Sequence, residues 1–424
     1  MPIKPALLKQ VIIEQQAIRL PVPCVLRECM QTIEKHIHDP HIIILSGLRR
    51  VGKSTVLQQI RKNNAEPEYY INFDDDRLVN FTVEDFQLLL EVFIELFAVK
   101  NTFFFDEIQN IPNWERFIRR LHDQGKKIFI TGSNAQMLSQ ELGTRLTGRY
   151  LQLELYPYSF AEWVGFVDPG YQNKKIFSTE DKGLLKRHFN DYFNHGGIPE
   201  FVKNGDIGYL QTLYESILYR DILTRFKTSS EKALKELVFY LASNIGKDVS
   251  YNALRKMLNL ASANTVSDYC QQLANSYLCM FINRYDFSIR KQLNYVKKNY
   301  FIDPAMARAV GFYISEDKGR MLENIVFLEL KRRFTHIYFH RQNTECDFIV
   351  RIGAKVTVAL QVCMHLQSAD TKEREIKGLL DAMLAYHLHE GWILTEDTED
   401  EWLITKENRK YTVHVLPIWK WLLS

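Results

Sequence analysis

Residues 46–55 read SGLRRVGKST, and the pattern Gly47-x-x-x-x-Gly52-Lys53-Ser54 stands between a β-branched apolar run, HIIIL at 41–45, and a helical stretch. Few patterns narrow the choice of fold so far. A strand, a glycine-rich turn and a helix in that order make a loop whose backbone N–H groups turn inward around anions. The glycines allow that approach because no Cβ blocks it. The helix beginning near Lys53 aims the positive end of its dipole at the same point. The ligand this loop suits is a nucleoside triphosphate. Gly47, Arg50, Val51, Gly52, Lys53, Ser54 and Thr55 are the expected contacts, with Lys53 on the β- and γ-phosphates and Ser54 on Mg²⁺.

The flanks predict the sheet that carries such a loop. Strands are expected at 69–73, 101–106, 127–131 and 150–155, with helices at 53–63, 83–99 and 114–124. Strands alternating with helices imply an α/β fold with a parallel sheet, here a P-loop NTPase sheet. Ligands in such sheets bind at the carboxyl ends of the strands.

Two further motifs fall at those ends. Phe103-Phe104-Phe105-Asp106-Glu107 is an apolar strand ending in two acids. Asp106 is expected to hold Mg²⁺, and Glu107 to orient and deprotonate the attacking water. Ile130-Thr131-Gly132-Ser133-Asn134 ends the next strand, with Asn134, or else Ser133, suited to bond the water or γ-phosphate. Arg149, with Arg145 in reserve, is the candidate for stabilising charge on the transferred phosphoryl group, in its own chain or from a neighbouring subunit.

A chain of 424 residues is too long for one ordinary core. Four segments are expected: 1–158 around the P-loop sheet, a helical lid or linker at 159–228, a compact helical and strand-like segment at 229–310, and an α/β segment at 311–424. Net charge is +3, too little to argue for a polyanionic partner by itself. The six cysteines show no CxxC pair and no zinc-site spacing. The N-terminal stretch lacks signal-peptide character, and the apolar run at 88–98 is broken by Glu91 and Glu95. The expectation is a cytoplasmic protein with no membrane partner.

With these motifs in order the chain resembles the AAA-type ATPases, and within them a prokaryotic family with a winged-helix-like middle and a C-terminal restriction-endonuclease-like core. The stretches that carry the likeness are GLRRVGKST, FFFDEIQN, FITGSN, LTGRYLQLELYPYSFAEW, HGGIPEF, YFIDPAMARAV, and ENIVFLEL followed by ECDFIV. The resemblance implies ATP binding and hydrolysis, with Mg²⁺, and assembly into a homo-oligomer if an arginine finger is shared.

The residues of the middle segment support a DNA reader. VSYNALRKML at 249–258, a short turn, and a second helix capped by Ser262 give a helix-turn-helix layout. Asn264, Thr265, Ser267 and Gln271 would face a groove, and Arg284, Arg290, Lys291, Lys297 and Lys298 would make a basic wing for phosphates. Asp268 and an uncharged recognition face weigh toward plain packing. In the C-terminal segment, Asp347 and Gln361 sit on strands expected to pair, and Glu323 precedes them on a helix. Restriction-endonuclease-like sites add a lysine two residues after Gln361, where this chain has Cys363. A thiol lacks the ammonium's charge. Lys355 and Lys331 are conceivable substitutes with nothing to support them, so the expectation is a catalytically degenerate core.

Three functions follow. The first is an Mg-ATPase coupling nucleotide state to domain rearrangement on double-stranded DNA or a partner protein. The second is a DNA nuclease gated by ATP, and the third a nucleotide switch or scaffold that does not hydrolyse. Glu107 favours the first over the third, and Cys363 weighs against the second.

Overall fold

Strand β1, Ile42–Gly47, is buried at every residue, as a parallel strand covered on both faces must be. The computed structural model describes residues 3–424 other than 19, 21–23, 65–67, 134–145, 147, 172–177, 227, 229, 314–317 and 407. These form two compact units, Met1–Tyr156 with Asn275–Tyr277, and Pro157–Ala274 with Leu278–Ser424.

In the first unit β1 lies within a five-stranded parallel sheet of order β2-β3-β4-β1-β5, where β2 is Glu68–Asn72, β3 Thr102–Asp106, β4 Lys127–Gly132 and β5 Tyr150–Leu155. This is the P-loop NTPase arrangement, and the expected strands match it to within one or two residues at their ends, β5 without any difference. Helices α1 (Pro5–Gln16), α2 (Cys29–Lys35), α3 (Lys53–Asn63), α4 (Phe86–Phe97) and α5 (Glu115–Asp123) belong to the same unit. Phe103, Phe104 and Phe105 are all buried because successive side chains enter opposite, equally covered faces. Phe104 stacks on Phe129 at 4.6 Å, while Phe103 meets Tyr69 edge-on at 5.0 Å. These ring contacts join β3 to its neighbours β2 and β4, and the parallel pairing of β4 with both β3 and β1 sets the carboxyl ends of β1 and β3 at the same edge.

The second unit opens with helices and contains two sheets. Helices Tyr251–Met257 and Ala263–Asn275 precede an antiparallel pair, β7 (Cys279–Asn283) and β8 (Lys297–Phe301), with the short β6 (Asp248–Val249) on the other side of β8. The larger sheet has order β13-β14-β12-β11-β10-β9, with β9 Ile337–Arg341, β10 Glu345–Ile352, β11 Lys355–Val362, β12 Glu390–Thr395, β13 Asp400–Lys406 and β14 Arg409–Pro417. Helix Ala369–Tyr386 packs on β10, β11 and β12.

The FID and HGG stretches meet in this unit. Asp303 caps helix Pro304–Val310, accepting from the backbone N–H of Ala305 at 2.8 Å and Met306 at 3.0 Å. Its other oxygen accepts from the N–H of Gly197 at 2.7 Å. Burial raises the Asp303 carboxyl above its ordinary range, and the three backbone donors oppose that rise. No helix among the described residues is long and apolar enough to cross a membrane.

Candidate functional site

The loop after β1 closes in a way that only glycine permits at two positions. Gly47 has φ +150°, and a Cβ there would stand 2.3 Å from the Leu155 carbonyl oxygen of β5. Gly52 caps α3 with φ +101°, ψ 19°. Arg50 also takes a positive φ, 64°, and lies exposed. Val51 is buried, and Ser54 and Thr55 are half-buried on the first turn of α3. Arg27 is buried beside the loop, donating to the Val51 carbonyl at 3.0 Å and to the Tyr156 carbonyl at 2.6 Å.

Lys53 is only 4% exposed. Its Nζ donates to the Gly47 carbonyl at 3.2 Å and the Leu48 carbonyl at 3.0 Å, and lies 3.6 Å from Glu107 Oε1. Asp106, at the end of β3, is fully buried. Ser54 Oγ donates to its Oδ1 at 3.1 Å, Tyr70 Oη to its Oδ2 at 3.2 Å, and Thr131 Oγ1 also donates to Oδ1. Burial and the neighbouring Glu107 raise the Asp106 carboxyl, against the pull of Thr131, Ser54 and Lys53. Burial, and then Asp106, raise the Tyr70 phenol in turn, so it remains a proton donor.

Glu107 turns the chain sharply, at φ 52°, ψ 40°, into the short helix Ile108–Asn110. Its backbone N–H donates to Thr131 Oγ1 at 2.9 Å. Its Oε2 accepts from Gln109 Nε2, which also reaches Ser133 Oγ at 3.4 Å. Lys53, Ser54, Asp106 and Glu107 thus converge at one end of the sheet. Ser133 lies within this network. Asn134 and Arg145 fall outside the described residues.

Arg149 is not brought to this end in its own chain. It precedes β5, and its carbonyl accepts from the N–H of Ile42, the first residue of β1. In a parallel sheet that is the amino edge. The six residues of β1 separate the two edges by roughly 16 Å. Arg149 Nε lies 3.5 Å from Asp123 Oδ1 instead.

A second cluster lies within the other unit, and its key residue corrects the sequence reading. Lys298 is not a basic wing residue; it is 2% exposed. Its Nζ lies 2.7 Å from Glu345 Oε1, 3.2 Å from Glu323 Oε1 and 3.4 Å from Asp347 Oδ1. Along a strand, neighbours face opposite ways. Lys297 goes one way, its ammonium 5.7 Å from the Tyr251 ring centroid, and Lys298 goes the other. Tyr300, two residues on, shares the inner face and donates to Glu323 Oε1 at 2.6 Å. That Lys298–Tyr300 spacing was the available signal, and the adjacent lysines masked it.

Asp347 is held by its own sheet. The Val362 N–H donates to its Oδ2 at 2.9 Å, and its N–H donates to Gln361 Oε1 at 2.8 Å. Gln361 Nε2 donates to Glu375 at 2.6 Å. Cys363 is buried, its Sγ 3.1 Å from the His365 carbonyl, and burial pushes its thiol up to about 11. Burial likewise pushes Glu323 up to about 7, against the pull of Lys298. Burial alone would discharge Lys298, but Glu323, Asp347 and Glu345 outweigh it and keep the ammonium charged. The cluster opens on a cleft of about 720 Å³ lined in part by Glu323, Glu345, Asp347, Gln361, Arg320 and Arg374.

Residues 39–164 match the model of a family described as an AAA domain, and residues 186–317 match one described as a domain of unknown function (DUF8612). The uncharacterized protein MJ1544 of Methanocaldococcus jannaschii is 33% identical over 99% of this chain and 96% of its own length. An uncharacterized protein of Haemophilus influenzae is 30% identical over 78% of this chain and 85% of its own. Among solved structures, a Walker-type ATPase of Pyrococcus abyssi aligns at TM-score 0.42 with 16% identity, covering 68% of this chain and 99% of that one. The RuvB Holliday junction branch migration motor of Thermotoga maritima aligns at TM-score 0.32 with 15% identity, covering 68% and 99%. With a P-loop sheet at its start and an end-to-end likeness of this extent, the chain belongs to the family of MJ1544, and residues 39–164 are its AAA domain.

Proposed function

We propose that this chain is a magnesium-dependent ATPase whose nucleotide state drives domain rearrangement on double-stranded DNA or a protein client. The observation that carries the reading is the convergence of four side chains, Ser54 Oγ at 3.1 Å from Asp106 and Lys53 Nζ at 3.6 Å from Glu107. The β- and γ-phosphates of ATP lie on the backbone N–H groups from Gly47 to Thr55. Lys53 exchanges its two loop carbonyls for phosphate oxygens, which release it from Glu107. Ser54 and Asp106 offer two adjacent hard oxygen donors, which fit Mg²⁺, and the ion held there would neutralise charge on the phosphates. Glu107 then accepts a proton from water. The water oxygen bonds to the γ-phosphorus as the bond to the bridging oxygen breaks, and ADP leaves with that electron pair. Arg149, placed at the opposite edge, can act only on a neighbouring copy in a homo-oligomer.

Phosphate release by wild type and Glu107→Gln tests the reading. The variant is expected to lose about 10²–10⁴-fold in turnover while still binding ATP. Equal rates would overturn it, and ATP bound without any phosphate release would favour a switch that does not hydrolyse. What supports a nucleic-acid client is the helix pair followed by the β7–β8 connection, where Arg290 and Lys291 are exposed. An ATPase rate stimulated by duplex DNA, the effect fading with added salt, is expected.

A nuclease reading has one observation in its favour. Lys298 supplies an ammonium to Asp347 and Glu323, the group that Cys363 lacks. Plasmid nicked in Mg²⁺ or Mn²⁺ by wild type but not by Asp347→Ala would establish it.

A further inference from the structure

Gln109 stands two residues past Glu107 on the short helix Ile108–Asn110, and it is 4% exposed. Its Nε2 is the only end of the amide able to donate, and it is given to Glu107 Oε2 and, at 3.4 Å, to Ser133 Oγ. Its Oε1 is buried and has no hydrogen-bond partner among the described residues. A buried amide oxygen without a donor is costly, on the order of 1–3 kcal/mol, and is kept where something else is gained. What is gained is the orientation of Glu107. With Oε2 tied to Gln109 and the backbone N–H tied to Thr131, Oε1 is the oxygen directed at Lys53, 3.6 Å away, and so at the phosphate cradle.

We propose that Gln109 is the positioning residue of Glu107, fixing which carboxylate oxygen faces the triphosphate, with Ser133 as the anchor at the end of β4. The inference rests on the ATPase reading above. The strained turn makes the tie necessary. Glu107 holds a left-handed backbone conformation that a side chain rarely adopts, so its rotamer is not set by a helix or strand around it. A long carboxylate at such a turn samples several rotamers unless a neighbour selects one. A base displaced by about 1 Å loses on the order of 10²-fold in rate.

The test is steady-state phosphate release by wild type, Gln109→Leu, Gln109→Glu, Glu107→Gln and the double variant Glu107→Gln/Gln109→Leu. Binding of a fluorescent ATP analogue and a thermal melt check the fold of each. Gln109→Leu is expected to lower kcat about 10–100-fold with KM for ATP within about threefold. Gln109→Glu, equal in length but setting carboxylate against carboxylate, is expected to lower kcat further with analogue binding kept. The double variant is expected to match Glu107→Gln, because a residue that acts through Glu107 has nothing left to orient. Wild-type turnover retained in Gln109→Leu overturns the inference and leaves the ATPase reading standing. So does a double variant slower than Glu107→Gln by the full factor. A wild type that binds ATP and releases no phosphate overturns both.

Discussion

Lys53 and Lys298 each face carboxylates inside protein, and they are held in opposite ways. Lys53 sits on a loop, donates to carbonyls of that same loop, and stands 3.6 Å from one acid. Lys298 sits on a strand and is surrounded by three acids at 2.7–3.4 Å, one of them also bonded by Tyr300. The first cation is lightly held and can be given to a better anion. The second is saturated. A ligand for those three acids must first displace the buried ammonium. A lysine near acids is therefore not one kind of feature: the number and reach of its acceptors separate a ligand-binding group from an internal counter-ion.

The comparison is tested most severely by removing each ammonium. Lys53→Met is expected to cut ATP turnover about 10³-fold while leaving the melting temperature without nucleotide nearly unchanged, as phosphate release and calorimetry would show. Lys298→Met is expected to do the reverse. Three carboxylates left without their cation should cost about 3–5 kcal/mol in denaturant unfolding, with ATP affinity unaltered. If Lys298→Met folds as firmly as wild type and abolishes an activity instead, the two lysines are alike after all.

A gentler test uses pH. The folded Glu323 carboxyl lies near 7, above its ordinary 4.5. A group raised on folding stabilises the fold below its unfolded value, and that contribution is lost as pH rises through the folded one. Stability should therefore fall between about pH 4.5 and 7 from this residue, and Glu323→Gln should flatten that slope. Denaturant midpoints across that range read it directly. The smallest effect is expected at Arg149. Its ion pair with Asp123 is half-exposed on the Arg149 side and open to solvent on the other, so Arg149→Ala should change stability by less than about 1 kcal/mol. Turnover of dilute protein should stay within about twofold, since Arg149 lies at the far edge of its own sheet.

What the sequence disclosed follows the same division. The P-loop, Asp106 and Glu107 could be read because their geometry is local: each motif is a strand followed by its turn, and a parallel sheet aligns the turns. The fate of Arg149 was readable by that rule too, since a residue before a parallel strand lies at the opposite edge from residues after one. Lys298 was not readable, because its acids come from a helix and a strand 25 to 49 positions away in the chain. Cys363 could be read as an uncharged residue beside Asp347, but the sequence could not show that Lys298 of another strand places its ammonium among these acids. Gln109 was hidden for a different reason. In an extended strand it would share Glu107's face but stand about 6.6 Å further along the chain, and only the tight turn after Glu107 brings the two side chains into contact.

The Asp303 carboxylate has a consequence for motion. It gathers the amide hydrogens of Gly197, Ala305 and Met306 onto one residue. None of the three can open to solvent by the easiest route, fraying of the helix end, without releasing a shared acceptor. In deuterated buffer their exchange should proceed in step, at one rate set by a single opening event, and Asp303→Asn should split that common rate into three.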